Sequence, residues 1–399
     1  MRDSTPTTSV KNPRLGSIDL LRGLAMVLML LDHTRDFFHN VSHYVDPTDL
    51  SQVDAALFLT RWVTHFAAPV FVFLAGTAAY MQLSRGRTKD DLSRFLVIRG
   101  LWLILLEFTV VRIGIFFNLD YFRLLAALQV IWVLGVSMIV LAGLIRLPLL
   151  VTAGIGATMI AGHNLLDGIQ ATAWDGPARA LWMVLHQQGT FLMGSFPSPM
   201  VIVMYPLVPW IGVMAVGYAF GRVYQIDAKK RRRILLGLGA VLTAVFVVLR
   251  AARGYGDPAP WVIQKDALFT VLSFLNTTKY PPSLQFLLMT LGPSIGALAL
   301  LERVRFGLPG YVLITLGRVP LFFYLLQFYV AHGLAVLAGC LAGQPIAYQF
   351  SFVRAPEGAG FDLWIVYAFW AISLLLLYPL CNWFASVKRR HRNWWLSYL

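Results

Sequence analysis

The feature that most constrains this chain is the recurrence of long apolar runs, separated by short segments that carry most of the charge. About 20 mainly apolar residues wound as a helix match the hydrocarbon thickness of a bilayer. Backbone N–H and C=O groups find no water there, so each spanning segment must satisfy them internally, which favours helices. The runs fall at residues 17–38, 55–83, 94–117, 122–145, 148–167, 201–221, 233–250, 284–302, 311–337 and 362–386. They predict an all-α, polytopic transmembrane helical bundle of about ten spans. Residues 178–199 are apolar but hold His186, Gln187, Gln188 and two prolines, which suits an interfacial or re-entrant segment.

Composition agrees. Charged residues make up 13% of the 399 and hydrophobic residues 58%. A soluble domain carries about 25% charge, so this chain needs lipid as its main covering and partner. The formal net charge of +14 sits in short loops rather than on one face. That is the positive-inside pattern, and it argues against nucleic acid as a partner. Basic clusters at Arg2, Lys11 and Arg14, at Arg85–Arg94, at Arg222–Arg233, at Arg303 and Arg305, and at Lys388–Arg392 all fall on one side of a ten-span chain. The other side receives Asp46, Asp49 and Asp54 and the loops 168–200, 251–283 and 338–361. Both termini are therefore expected in the cytoplasm, with a tail at 1–16, one transmembrane domain at 17–386 and a basic tail at 387–399. The run Gly23–Leu31 resembles a signal peptide only superficially. Asp19 and Arg22 interrupt its approach and Asp32-His33 ends it, so an uncleaved first span is expected in a multi-pass plasma or inner membrane protein.

Cys340 and Cys381 are the chain's two cysteines, too few for a metal or redox motif, and no metal site is expected. There is no phosphate-binding glycine loop and no internal repeat of solenoid length.

Ionisable groups inside a bilayer cost about 3 kcal/mol or more near its centre, so several at one depth point to function. The first span holds two such groups. Asp19 and Arg22 lie three residues apart, share a helical face and can pair; they read either as a structural bridge or as an anchor for an anionic ligand at the cytoplasmic end. Asp32, His33, Arg35 and Asp36 lie roughly 20 Å further along. His65 on the antiparallel second span falls at a comparable depth. A histidine pair facing one cavity can take and return a proton near neutral pH. A carboxylate can hold the imidazole tautomer, although adjacent residues point about 100° apart on a helix, so Asp32 can serve a different group. Glu107, Arg112, Gln129, Gln327 and His332 are further polar positions within spans, and Lys279-Tyr280-Pro281-Pro282-Ser283 opens the eighth span. Lys279 and Tyr280 are candidates for holding an acyl or sugar group, with Arg35, Asp36 and Gln327. His39, His43 and His186 read as loop residues, and His163 as structural at a helix end. Pro69 to Gly76 and Tyr205-Pro206 to Gly212 mark helix breaks of the kind that line sites.

These segments resemble a known family. Arg14-Leu-Gly-Ser-Ile-Asp19-Leu-Leu-Arg22-Gly23, Pro69-Val-Phe-Val-Phe-Leu-Ala-Gly76, Tyr205-Pro206 with Pro209-Trp210, Lys279-Tyr-Pro-Pro-Ser283 and Gly317-Arg-Val-Pro-Leu-Phe-Phe-Tyr324 are similar to the heparan-alpha-glucosaminide N-acetyltransferase catalytic domain family, in its bacterial branch long classed as a domain of unknown function. The opening Ser-Ile-Asp-x-x-Arg-Gly is similar also to the membrane acyltransferase-3 group, in which a histidine ends the same span and matches His33. The resemblance implies transfer of an acyl group from cytoplasmic acetyl-CoA to a carbohydrate or amino-sugar acceptor on the opposite face. It implies a histidine as base or transient carrier, assisted by Asp32 or His65, with Asp19 and Arg22 on the donor side. Where the family's lysosomal enzyme has a histidine in the loop after the first span, His39 and His43 are the two candidate counterparts; where many bacterial members have a ninth-span histidine, this chain has Gln327. A proton-coupled transporter, with the same charges as a relay, and a structural membrane protein are the alternatives. Acceptor, acyl group and oligomeric state are left open, a homo-oligomer among them.

Overall fold

The computed structural model describes residues 16–41, 44–194, 198–303, 307–351, 355–391 and 393. His43, Arg2, Lys11, Arg14, Arg305 and Arg392 lie outside the described residues.

Helix dominates. The first rod is α1 (Gly16–Phe38), and it serves as the axis of the description because its two ends carry the two polar groups. A second rod is built from α2 (Ala55–Thr64) and α3 (Ala67–Leu83), running the other way. Asp54 starts it by accepting a hydrogen bond from Leu57 N at 2.7 Å, a side-chain cap that satisfies an otherwise orphaned N–H. The rod is interrupted at His65-Phe66. Thr88 caps α4 (Lys89–Leu106) in the same manner, through Asp91 N at 3.1 Å. The helix loosens into a π-helical turn at Glu107–Val111 and closes with α5 (Arg112–Phe116).

The expected span at 122–145 then departs from helix. Its first part is strand β1 (Leu124–Leu128), and only the second is α6 (Val130–Leu144). Next come α7 (Leu149–Gly162) and the short α8 (Gly176–Leu185). The segment 178–199, expected as interfacial or re-entrant, thus begins with most of α8, followed by β2 (Gly189–Leu192). β3 (Met200–Val203) leads directly into α9 (Leu207–Phe220). The three strands form one sheet of order β1-β3-β2, with β1 parallel and β2 antiparallel to β3. The chain is mostly helical as expected, and this small sheet departs from the all-α expectation at the starts of two expected spans. The physical reason is that two rods begin as extended chain, and their backbone groups are satisfied by pairing with each other rather than within a helix.

The remainder is α10 (Ala228–Ala251), α11 (Ala267–Leu275), α12 (Leu284–Leu301), α13 (Leu308–Arg318), α14 (Pro320–Leu341) and α15 (Leu363–Arg390). The expected ninth span, 311–337, is broken at Val319, whose φ −128° and ψ 48° end α13. Pro320 then starts α14, as expected for a residue without an N–H to donate. Among the described residues, seven helical stretches are long and apolar enough to cross a membrane, from Ala55–Leu83 to Leu363–Arg390. α1 is not among them, because its charges dilute it.

Two contacts fix the Asp19 end. Arg231 on α10 makes a fork-to-fork pair with Glu302 after α12, at 2.8 and 3.2 Å. α1 and α13 touch backbone to backbone: a Cβ on Gly23 would lie 1.9 Å from Leu313 O, and one on Gly317 would lie 1.8 Å from Asp19 O. Only glycine permits that approach.

Candidate functional site

Two cavities lie along α1. The larger, about 670 Å³, opens at the His33 end. The smaller, about 370 Å³, opens at the Asp19 end. Met29 and Val130 line both.

The larger cavity is organised around the buried Asp32. Arg61 Nη1 donates to both carboxylate oxygens, at 2.6 and 2.5 Å. Arg35 Nη1 lies 2.9 Å away on the same helix, and Lys279 Nζ 3.9 Å away across the cavity. Thr64 donates its hydroxyl at 2.9 Å. A buried carboxylate survives when its lone pairs are filled in this way. The arrangement concentrates three cations around one anion. Asp36, more exposed, returns part of the balance by pairing with Arg35 at 2.5 Å. Tyr280 joins through Arg61 Nη2, 3.5 Å from its hydroxyl, and stacks edge-on against Tyr205 with ring centres 5.3 Å apart.

His33 lines the same cavity, half-buried, with its ring 4.5 Å from that of Phe328. Asp32 and His33 point to different partners, so the carboxylate secures the cations while the imidazole faces the cavity. His332 also lines the cavity. It is held between Phe37 and Phe117, with ring centres 4.5 and 3.9 Å away, and its Nδ1 lies 3.1 Å from Gly114 O.

The structure therefore gathers Asp32, His33, Arg35, Asp36, Lys279 and Tyr280 at one cavity. It does not bring His65 or Gln327 there. His65 occupies the break between α2 and α3, and its buried ring turns toward Phe286, 5.4 Å away. Gln327 is fully buried on α14, and its amide atoms make no hydrogen bond. Glu107 and Arg112 do not line it either. Glu107 accepts from Trp132 N at 3.0 Å, capping α6 from a neighbouring helix. Arg112 gathers the carbonyls of Asn118 and Leu124, at 2.5 and 3.1 Å. His39 ends α1 in a bridge to Phe361. Burial, helped by the Arg35 charge, holds the His39 imidazole below its ordinary value.

Sequence reasoning missed Arg61, although an arginine inside an apolar run carries the same signal as Asp32. It flagged Tyr205 at a helix break of the kind that lines a site, and Gln129 only as a polar position within a span. Both stand where a strand gives way to a helix, β1 to α6 and β3 to α9, and both joins line the larger cavity. Interrupted helices whose N-termini face a cavity offer N–H groups to polar ligands in the membrane interior.

The smaller cavity has another character. Arg22, Arg87 and Arg99 line its polar part with Gln82, and Met26, Phe71, Leu134 and Met138 its apolar part. Arg87 lies over the Phe95 ring at 4.5 Å and donates to Gln82 at 2.5 Å. Arg22 reaches Gly317 O at 3.3 Å and Asp19 at 3.6 Å. Arg318 approaches the other Asp19 oxygen at 3.6 Å. Asp19 itself lines neither cavity; it anchors the arginines beside one of them.

No protein of curated function matches the chain. The family model described as heparan-alpha-glucosaminide N-acetyltransferase, catalytic, matches residues 14–252 of the 399. That stretch contains α1, the Asp32–Arg61 cluster, both strand-to-helix joins and the arginines of the smaller cavity. The chain belongs to the heparan-alpha-glucosaminide N-acetyltransferase catalytic family, a family of membrane transferases.

Proposed function

We propose that this protein transfers an acetyl or other acyl group from acyl-CoA, bound at the Asp19 end, to an amino or hydroxyl group of a carbohydrate bound at the His33 end. The observation that carries this reading is the pair of cavities along α1 that share Met29 and Val130 in their linings. A cationic mouth leading into a narrow apolar space suits a phosphorylated nucleotide followed by a pantetheine arm. The acyl thioester then lies beside Met29, one helical turn from His33, about 6 Å along the axis. His33 takes the proton of the acceptor as its nitrogen or oxygen attacks the thioester carbonyl. Arg61, Lys279 and the Tyr280 hydroxyl stand where negative charge on that oxygen can be stabilised in a water-poor setting. Collapse breaks the C–S bond, and the CoA thiolate leaves through the smaller cavity. Asp32 is a positioning residue in this scheme, because it holds Arg61, Arg35 and Lys279 in place.

The reading takes the Asp19 end as cytoplasmic, with ten crossings in a plasma or inner membrane and both termini inside. Its support is charge: Arg87, Lys89, Arg231, Arg303 and the basic end of α15 belong to that end, as the positive-inside rule requires. For the test, purified protein is incubated with labelled acetyl-CoA and a panel of amino sugars. Acceptor-dependent CoA release with label on the sugar is expected. Binding of acetyl-CoA without release in the presence of any acceptor would overturn the reading.

A further inference from the structure

Away from both cavities, at the end of the bundle that carries Lys279, three side chains converge. His163 follows the last turn of α7, Asp167 lies four residues on, and His186 ends α8. One donor atom from each lies within 4.8 Å of the other two. Both histidines are buried, at 2% and 3% exposure. Neither nitrogen of His163 makes a well-formed hydrogen bond, and neither does His186 Nδ1. Burying imidazoles in this state is costly unless something draws on their lone pairs.

We propose that His163, Asp167 and His186 bind a divalent transition cation, Zn2+ foremost, with water or another small ligand in the fourth position. Two imidazoles and a carboxylate match zinc's preferences, whereas Mg2+ and Ca2+ want oxygen. The geometry supports the assignment. His186 Nε2 and Asp167 Oδ1 are 3.3 Å apart. A charge-assisted pair draws closer, to about 2.7–2.9 Å. By contrast, two ligands on a tetrahedral zinc with bonds near 2.0–2.1 Å stand about 3.3 Å apart. A plain histidine–aspartate pair also leaves His163 unexplained. The outer shell is already built: Asn164 Nδ2 holds the second Asp167 oxygen at 2.8 Å, and the Pro282 carbonyl lies beside the His163 ring. Such partners fix ligand orientation in metal sites.

The position gives the cation a role. Asn164 Oδ1 accepts from Leu284 N at 2.9 Å, and Pro282 lies in the segment that carries Lys279 and Tyr280 into the larger cavity. A bound cation would join α7, α8 and this segment, and would steady Lys279 against Asp32.

The test uses the full chain in detergent, with any polyhistidine tag removed. Protein is stripped with chelator, dialysed against micromolar ZnCl2 and desalted, and its metal is measured by mass spectrometry. Wild type is expected to retain one zinc per chain. His163→Ala and His186→Ala are each expected to retain at least tenfold less while eluting as wild type on size exclusion. Zinc should raise the thermal midpoint of wild type, because ligands that bind only the folded state stabilise it. If either variant fails to fold, wild type alone decides: no retained zinc and no zinc-dependent rise overturn the site. Retention by both folded variants at the wild-type level overturns it as well. The readout is metal content, so it stands or falls separately from acyl transfer.

Discussion

Arg61 grips both oxygens of Asp32, at 2.6 and 2.5 Å, from a helix that the sequence separates from Asp32 by a whole loop. The pair turns four ionisable side chains that would each be costly in a membrane into one cluster. Removing a partner from such a pair costs about 3–5 kcal/mol, because the other charge is left buried alone. Asp32→Asn should therefore lower the thermal midpoint strongly and cut acyl transfer more than tenfold. Pairing it with Arg61→Gln should restore much of the midpoint and little of the activity. Differential scanning fluorimetry and a CoA-release assay on the same preparations decide this. A single variant with wild-type stability would show that the pair is not the anchor described.

The contact between α1 and α13 admits no side chain at Gly23 or Gly317. Gly317→Ala must push the helices apart, at a cost of about 1–3 kcal/mol, typical of overfilled packing. A lowered thermal midpoint is expected, together with weaker use of acyl-CoA, because Arg22 leans on Gly317 O. Unchanged melting would mean that the helices are not in contact.

His39 lends itself to a pH test. Its imidazole titrates below the ordinary 6.5 because it is buried near Arg35. A histidine depressed in the folded state binds protons more readily when unfolded. Its contribution to stability is therefore full above pH 6.5 and is lost as pH falls through 6.5 toward the depressed value. His39→Gln should flatten the loss of thermal stability between neutral and mildly acidic pH. An unchanged slope would assign the acid sensitivity to other groups.

The two cavities predict a division of kinetic effects. Arg22→Ala should raise KM for acetyl-CoA roughly tenfold with a smaller change in KM for the acceptor, the sign of a lost binding contact. Lys279→Ala should do the reverse. Steady-state kinetics with each substrate varied in turn distinguishes this from a single shared site, in which both variants would shift both constants.

Much of this architecture was legible because membrane solvation is a coarse constraint. Apolar length located most of the helical segments, and the cost of burying charge singled out Asp32, His33 and Lys279. The misses have local causes. Leu124–Leu128 is as apolar as the helix after it, so hydropathy could not separate strand from helix. β1 is extended because β3, far along the chain, supplies its hydrogen bonds. His65 had the right depth, but the break at His65-Phe66 turns its ring to Phe286, and depth carries no information about rotation. Val319-Pro320 was readable from proline chemistry and was passed over because the apolar run continues through it. The convergence of His163 with His186 depends on the turn after α7, which no spacing in the sequence expresses.

The central claim is that the acyl group passes from one cavity to the other beside α1. The most direct measurement uses proteoliposomes with acceptor sugar sealed inside and labelled acetyl-CoA outside, scored for molecules whose Asp19 end faces outward. Label should accumulate on the enclosed sugar, and His33→Ala should abolish it while leaving acetyl-CoA binding intact. Label appearing only on acceptor supplied on the donor side, or undiminished transfer by His33→Ala, would contradict the account.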